Sequence, residues 1–424
     1  MSSILTNNGA MVALQTLKSI NSDLSKTQSV ISTGKDIASA KDNSAIWAIS
    51  KVMESDVAGF NGISDSLSLG ESTVAVARQA SETVTDLLTK MKDKIVASQE
   101  ANVDRAKIQT DIEALRDQVN SVVGAAQFNG LNLLSNSATT AGSGTVNVLS
   151  SLDRSGTGVT ATDIAVGKND LTTKARAVTG GTVAVSTAAT TLNATQTQTL
   201  AVNRTGTAGG QVYSIGLTGT DADSSKFTAA NYTTGTTAAD AQKIMYIARD
   251  GDTAGDIAKG LAQSFAIYAA KNNLDTKVVN VTASGNSLSV TSTVTDATDT
   301  VAARIDTLTT PTSVTIGGGL EELNNFNVTT ESGANAALTS IEYMIQTAVD
   351  AAAAFGSVEG RIETQAKFVS NLTDALKTGI GTLVDANMEE ASAKLQALQV
   401  QQQLGIQSLS IANQAPQSIL SLFR

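Results

Sequence analysis

The chain has 424 residues with 3% aromatics, a formal net charge of −10, two Pro, and neither Cys nor His. That length suits two to four domains. Without His or Cys there is no Ser-His-Asp triad, no Cys-His pair and no zinc site of the usual ligands. The acidic balance without a basic patch argues against nucleic acid and membrane as partners.

The N-terminus, Met1 to Gly9, has no basic run and no continuous apolar stretch, so it does not read as a cleaved secretory signal. No run of about 18 apolar residues occurs, and no membrane span is expected. From Ala10 a heptad pattern places Ala10, Leu17, Leu24 and Ile31 at a, with Ala13 and Ile20 at d. A second register starts at Ile46 and continues through Met53, Phe60, Leu67, Val74, Ser81, Leu88 and Ile95. Its d positions are Ile49, Ile63, Ala77, Val84 and Met91, broken by Asp56 and Gly70. A seven-residue period sustained this long predicts a coiled-coil-like helix, roughly 75 Å in length. After a turn at Gln99 to Val103, Asp104 reads as an N-cap. The stripe Ile108, Ile112, Leu115, Val119 and Val122 follows.

From about Ala138 to Glu331 the chain is rich in Thr, Ala, Gly, Ser and Val. Alternating runs such as Thr145 to Leu149 predict strands. One helix is expected from Thr253 to Asn272, with Ile257, Leu261, Phe265 and Tyr268 on one face. Strands at Val278–Thr282 and Ser287–Ser292 follow, joined at Gly285-Asn286. Gly317-Gly318-Gly319 lacks the Lys-Ser/Thr of a phosphate loop and reads as a flexible linker closing the insert. Asp250-Gly251-Asp252 lacks the downstream Glu of a calcium loop and reads as a turn. No catalytic, cofactor-binding or metal-ligating residue is assigned, and no enzyme is expected.

The last quarter returns to heptads. Ile341, Ala348, Phe355, Ile362, Val369, Leu376 and Leu383 occupy a, and Leu338, Ile345, Ala352, Ala366 and Ile380 occupy d. From Leu395 to Phe423 no side chain is charged. A helical wheel gives this tail two apolar stripes. Leu395, Leu398, Ile406 and Leu409 form one; Val400, Leu404 and Ile411 lie nearly opposite. A helix with two opposed stripes is gripped on both sides. A lone subunit offers no evident cover for both, so neighbouring copies are expected to supply it. The predicted polymer interface is Leu17, Leu24, Ile31, Leu395, Leu398, Val400, Leu404, Ile406, Leu409 and Ile411.

Three segments carry a family resemblance. Ile31 to Ala45, with Gly34 and Ser39-Ala40-Lys41-Asp42-Asn43, resembles a flagellin pattern near the N-terminus. Gln127-Phe128-Asn129-Gly130 with Leu133-Leu134-Ser135 is similar to the segment that closes flagellin N-terminal core helices. Ala412-Asn413-Gln414-Ala415-Pro416-Gln417 resembles the family's C-terminal ending. The resemblance covers about Met1 to Ser135 and Ala334 to Arg424, not the middle. It implies a bacterial flagellin: a structural subunit that self-assembles into the extracellular flagellar filament for motility. It also implies export through the flagellar type III channel, an export chaperone, and filament cap and hook–filament junction proteins as partners.

The fold expected is mainly α, a long coiled-coil-like rod built from both chain ends with an inserted β-rich (α+β) outer domain. Residues 1–44 and 384–424 would be terminal helices lining the filament core. Residues 45–140 and 334–383 would form the helical rod, and 141–333 the variable insert. A hook–filament junction protein and a secreted adhesin are the alternatives. In flagellins that an animal Toll-like receptor detects, the resemblance places an Arg-rich stretch followed by Leu and Gln. Here Lys92 stands for an Arg, Lys94 for a Leu and Ala97 for a Gln, which implies escape from that receptor.

Overall fold

Asn7 opens the first helix: its side chain accepts a hydrogen bond from the Ala10 N–H at 3.0 Å. This helix, α1 (Asn8–Thr33), ends at Gly34, whose φ of 69° lets its N–H reach back to the Val30 carbonyl. The structure, a computed structural model, describes residues 7–421 apart from 156–157, 194, 205, 207, 223–226, 236 and 295–297. For 154–155 and 415–421 it describes the backbone alone. Residues 1–6 and 422–424, and with them Met1 and Phe423 of the terminal motifs, lie outside the described residues, as does the side chain of Pro416.

The turn after α1 is built from polar side chains. Asp42 accepts hydrogen bonds from the Ser39 hydroxyl at 2.9 Å and the Ser39 N–H at 3.0 Å. These bonds hold its carboxyl below the ordinary value. Asn43 then accepts from the N–H groups of Ala45 and Ile46, opening α2 (Ser44–Ala97). Near the other end of the chain lie α6 (Glu331–Val384) and α7 (Met388–Ser421).

Residues divide into two compact units: Met1–Asp65 with Lys367–Arg424, and Ser66–Ala366. In the first unit the chain ends meet. Lys35 bridges to Asp385, and the Asp36 N–H donates to the Val384 carbonyl at 2.8 Å. Gln402 donates to Asn21 at 2.7 Å and Asn7 donates to the Ala412 carbonyl at 2.8 Å. As residue numbers rise on α1 they fall on α7, so the two helices run antiparallel.

In the second unit the heptad positions Leu67, Val74, Ala77, Ser81, Val84, Leu88, Met91 and Ile95 of α2 are all buried. Ile49, expected at a d position, is instead 54% exposed in the first unit. The break at Gly70 has a cause: a Cβ there would collide with Val148. α3 (Arg105–Ala125) is capped by Asp104, which accepts from the Lys107 N–H at 3.2 Å. It buries Ile112, Val119 and Val123, while Ile108, Leu115 and Val122 are half-buried.

On α6 the expected a positions Ile341, Ala348, Phe355, Ile362 and Val369 are buried, but the d positions need correction. Ile345, Ala352 and Ala366 are only half-buried, while Met344 and Ala351 are 1% exposed. A step of three residues, not four, completes this seam. At 3.6 residues per turn both steps land near the stripe, so type alone favoured Ile345. Leu383 is exposed and its neighbour Val384 is buried. Ion pairs flank the seam: Arg78 to Glu359 at 2.5 Å and Lys92 to Glu342 at 2.6 Å.

The insert holds nine strands among the described residues: β1 (Thr145–Ser155), β2 (Gly158–Gly167), β3 (Ala177–Leu192), β4 (Gln196–Ala201), β5 (Val212–Thr220), β6 (Met245–Ile247), β7 (Asn280–Ser284), β8 (Ser287–Ser292) and β9 (Thr300–Thr315). They form three sheets, ordered β1-β2, β3-β9-β5-β6 and β4-β8-β7, with every pairing antiparallel. A one-turn helix, α4 (Ala238–Ala241), precedes β6. α5 (Ala254–Lys271) starts with a Thr253–Asp256 capping box and buries Ile257, Leu261 and Phe265. Those side chains share one core with Tyr213, Ile215, Leu288, Val290 and Ile305 of the sheets.

Gly317-Gly318-Gly319 is not a loose linker. Gly317 and Gly318 are buried, and a Cβ on Gly318 would collide with the Thr172 carbonyl. The Gly318 N–H donates to the Lys174 carbonyl at 2.7 Å, and the Leu320 N–H to the Thr172 carbonyl at 3.1 Å. The chain leaving the helices and the chain returning to them are laced together here. Glycine is required because two backbones approach within side-chain distance.

Met344→Ala is expected to cost about 2–5 kcal/mol of stability and Ile345→Ala distinctly less, because one leaves a closed cavity and the other does not. Urea denaturation of both variants decides it, and equal losses would restore the four-residue step.

The two units should also respond oppositely to acid. Burial raises the carboxyls of Asp252, Asp306 and Glu321 in the second unit. Hydrogen bonds from Ser39 and Lys51 lower those of Asp42 and Glu54 in the first. A raised carboxyl favours folding once protonated, so its stabilisation is complete below the unfolded value and fades as pH climbs through the folded one. A lowered carboxyl contributes above the unfolded value and loses that contribution as pH drops through the folded one. Trp47, the sole Trp, reports the first unit, and all five Tyr lie in the second. From pH 7 down to about 4.5 the Tyr-detected urea midpoint should rise, whereas the Trp-detected midpoint should hold and fall only below about pH 4. Midpoints that move together would contradict the assignment.

Candidate functional site

Among the described residues no group of three or more Asp and Glu is placed to hold a metal ion. Asp250-Gly251-Asp252 is the expected turn: Asp250 accepts from the Gly144 N–H at 2.7 Å, and Asp252 from the Arg249 N–H at 2.7 Å. No described helix is long and apolar enough to cross a membrane.

An apolar surface lies on α7. Leu398 is buried, and Leu395 and Leu409 are half-buried. Gln402 and Gly405 lie on the same face, and a Cβ on Gly405 would sit 3.2 Å from Leu17 Cδ1. Leu17, Ile20, Leu24 and Ile31 of α1 are half-buried along this seam, and Thr27 is buried within it. One of the two tail stripes is thus already covered inside the chain by α1, where neighbouring copies were expected to supply the cover.

The opposite stripe has no cover. Val400 and Leu404 are each 56% exposed and Ile411 is 68% exposed. Ile406, expected beside Leu398, is 55% exposed. Its position is roughly 80° around the helix from Leu398, at 100° per residue, which carries it out of the seam. A row of exposed aliphatic side chains on a stretch of helix without charge is a recognised mark of an interaction surface. Sequence reasoning missed Met11, Val12 and Leu14 of α1, exposed at 60%, 64% and 44%. They fall between heptad positions, so a search for one stripe passes over them.

Lys92 is paired with Glu342, and Lys94 with Asp111 at 2.6 Å. Ala97 is the last residue of α2 and is exposed. All three belong to the second unit, and the tail residues to the first.

Paired chain-end helices, a β-rich insert and a bare apolar stripe define a helical subunit of assembling type. Two family models match the chain: the bacterial flagellin N-terminal helical region over residues 4–139, and the bacterial flagellin C-terminal helical region over residues 338–423. Flagellin A of Rhizobium meliloti is 36% identical over 429 residues, covering 100% of both chains. Flagellin FljK of Caulobacter vibrioides is 30% identical over 427 residues, covering 100% of this chain and 99% of that protein. Among solved structures, FliC from Burkholderia pseudomallei aligns at 16% identity and a TM-score of 0.31, covering 69% of this chain and 99% of that one. The chain belongs to the bacterial flagellin family.

Leu398→Ala should destabilise the first unit by about 2–4 kcal/mol, since the seam with α1 loses a buried side chain. Leu404→Ala should change the monomer by under about 0.5 kcal/mol, as expected at an exposed position. Trp47-detected urea unfolding of dilute monomer separates the two, and a large loss in Leu404→Ala would mean that its face is covered within the chain.

Proposed function

We propose that this chain is the structural subunit of a bacterial flagellar filament. It polymerises with copies of itself outside the cell to support swimming, and it performs no catalysis. The observation that carries this reading is the uncovered stripe Val400, Leu404 and Ile411, with Ile406 exposed on another side, along the stretch of α7 after Lys394 that carries no charge. Fully burying each such side chain contributes about 1.5–3 kcal/mol, and every added subunit repeats the gain. In this reading residues 1–44 and 384–424 line the filament core, 45–140 and 334–383 surround them, and 141–333 face outward. Export through the flagellar type III channel, a chaperone on the C-terminal helices, and cap and junction proteins at the filament ends complete the set of partners. The three departures Lys92, Lys94 and Ala97 belong with escape from the animal receptor.

Seeded polymerisation tests the reading. Monomer returned to neutral pH with filament seeds should extend them, which a junction protein would not do. Leu404→Asp and Ile406→Asp should each stop extension, because an unpaired carboxylate buried at every contact costs several kcal/mol. Their Trp47-detected unfolding should match that of the parent chain, since both positions are exposed in the lone subunit. Normal filaments from either variant would remove that residue's side of α7 from the interface.

A further inference from the structure

The chain holds seven Met and no Cys, so every sulfur in it is a thioether. A peroxide oxidises a thioether where it can reach the sulfur, and the product, methionine sulfoxide, is polar. The described methionines differ in that access. Met91, Met245 and Met344 are buried. Met53 is half-buried, with its terminal methyl 3.2 Å from where a Cβ on Gly379 would stand. Met11 is 60% exposed and Met388 42%.

The two exposed methionines have opposite surroundings. Met388 opens α7 and is followed by Glu389 and Glu390, both exposed. A sulfoxide there adds one dipole to a surface that is already charged. Met11 lies in a stretch of α1, from Asn8 to Leu17, that carries no charge. Its neighbours Val12 and Leu14 are exposed as well. At 100° per residue Met11 stands about 120° around α1 from Leu17, the residue that faces Gly405 of α7, so it points away from the seam. The outer side of α1 thus repeats the character of the outer side of α7: bare apolar groups among neutral polar ones.

Apolar groups of this kind favour assembly by leaving water. A sulfoxide reverses the sign at Met11, because its oxygen is a strong acceptor that loses water on burial and finds no fixed donor among aliphatic neighbours. We propose that Met11 is a reversible oxidation site through which hydroperoxides hold the subunit out of the polymer. This rests on the filament reading given above. The sulfur lone pair attacks one peroxide oxygen, and the O–O bond breaks as the S–O bond forms. Sulfur gives up two electrons. The other oxygen takes the proton of the transferred one and leaves as water, or as an alcohol when the oxidant is an alkyl hydroperoxide. Two thiols reverse the change, yielding the thioether, water and a disulfide.

The test uses full-length monomer treated with hydrogen peroxide until Met11 is partly oxidised. Peptide mass spectrometry should find sulfoxide at Met11 and Met388 well before Met91, Met245 or Met344. The mixed pool is then offered to untreated filament seeds, and sedimentation separates incorporated from excluded chains. Met11 sulfoxide should be depleted from the polymer by about tenfold or more, the loss of one buried side chain per contact. Met388 sulfoxide should be equally frequent in both fractions. Methionine sulfoxide reductases with dithiothreitol should return the excluded chains to the polymer. Met11→Leu, compared with itself before and after peroxide, should lose no extension; the fractionation decides alone if that variant extends no seeds. Equal Met11 sulfoxide in both fractions, a peroxide effect that persists in Met11→Leu, or oxidation of Met11 no faster than of Met344 would each overturn the proposal. Untreated monomer that extends no seeds would instead sink the filament reading, and this proposal with it.

Discussion

The first unit depends on one contact, the antiparallel seam between α1 and α7. It joins residues nearly the whole chain apart, as Asn7 with Ala412 and Asn21 with Gln402. Because the seam consumes the Leu395, Leu398 and Leu409 face, only the other side of α7 remains bare. In the proposed polymer, side chains on that side must tolerate water in the lone subunit and protein in the filament. Aliphatic groups tolerate the first state at modest cost and gain in the second. The glutamines between them, Gln399, Gln401 and Gln403, bring donors and acceptors without a charge to desolvate. A Lys or Glu at those places would favour solubility and oppose burial.

Much of the helical part was legible because period and burial coincide there. The a positions from Leu67 to Ile95 and from Ile341 to Val369 are buried where the heptads put them. Caps were legible as well, since Asp104 and Thr253 act locally. What misled was the choice between neighbours at three and four residues, where Ile345 competed with Met344 and the partner surface decided. The wheel also set Ile406 on the Leu398 stripe, whereas it lies outside the seam with α1. A wheel gives an angle, but the width of the seam depends on the side chains of α1, and these admit Gln402 and Gly405 rather than Ile406.

The insert was legible only as strands and one helix. The turn at Gly285 and the strand Ser287–Ser292 came through because alternation and turn chemistry are local. Gly317 to Gly319 did not. Three glycines in a row look the same in a sequence whether they are free or wedged against Thr172 and Asp170, and only tertiary contact separates the two. The hydrogen bonds behind them were invisible for the same reason, since Asn136 reaches Asp250 across 114 residues and Arg249 reaches Gly317 across 68.

The two units treat polar groups in opposite ways. Around the insert's attachment, Asp170, Asp250, Asp252, Arg249 and Glu321 are drawn into a network that fixes backbone carbonyls and N–H groups. Such groups are costly to expose again, because each would have to exchange a set hydrogen bond for water while its neighbour lost a partner. They suit a part of the molecule that folds once and keeps its surroundings. After Lys394 the polar side chains of α7 are neutral amides and hydroxyls, and Gln402 bonds across the seam to Asn21. They can keep their hydrogen bonds with water or pass them to a protein neighbour at little net cost. A helix built this way can change its surroundings after folding, which is what the proposed assembly requires.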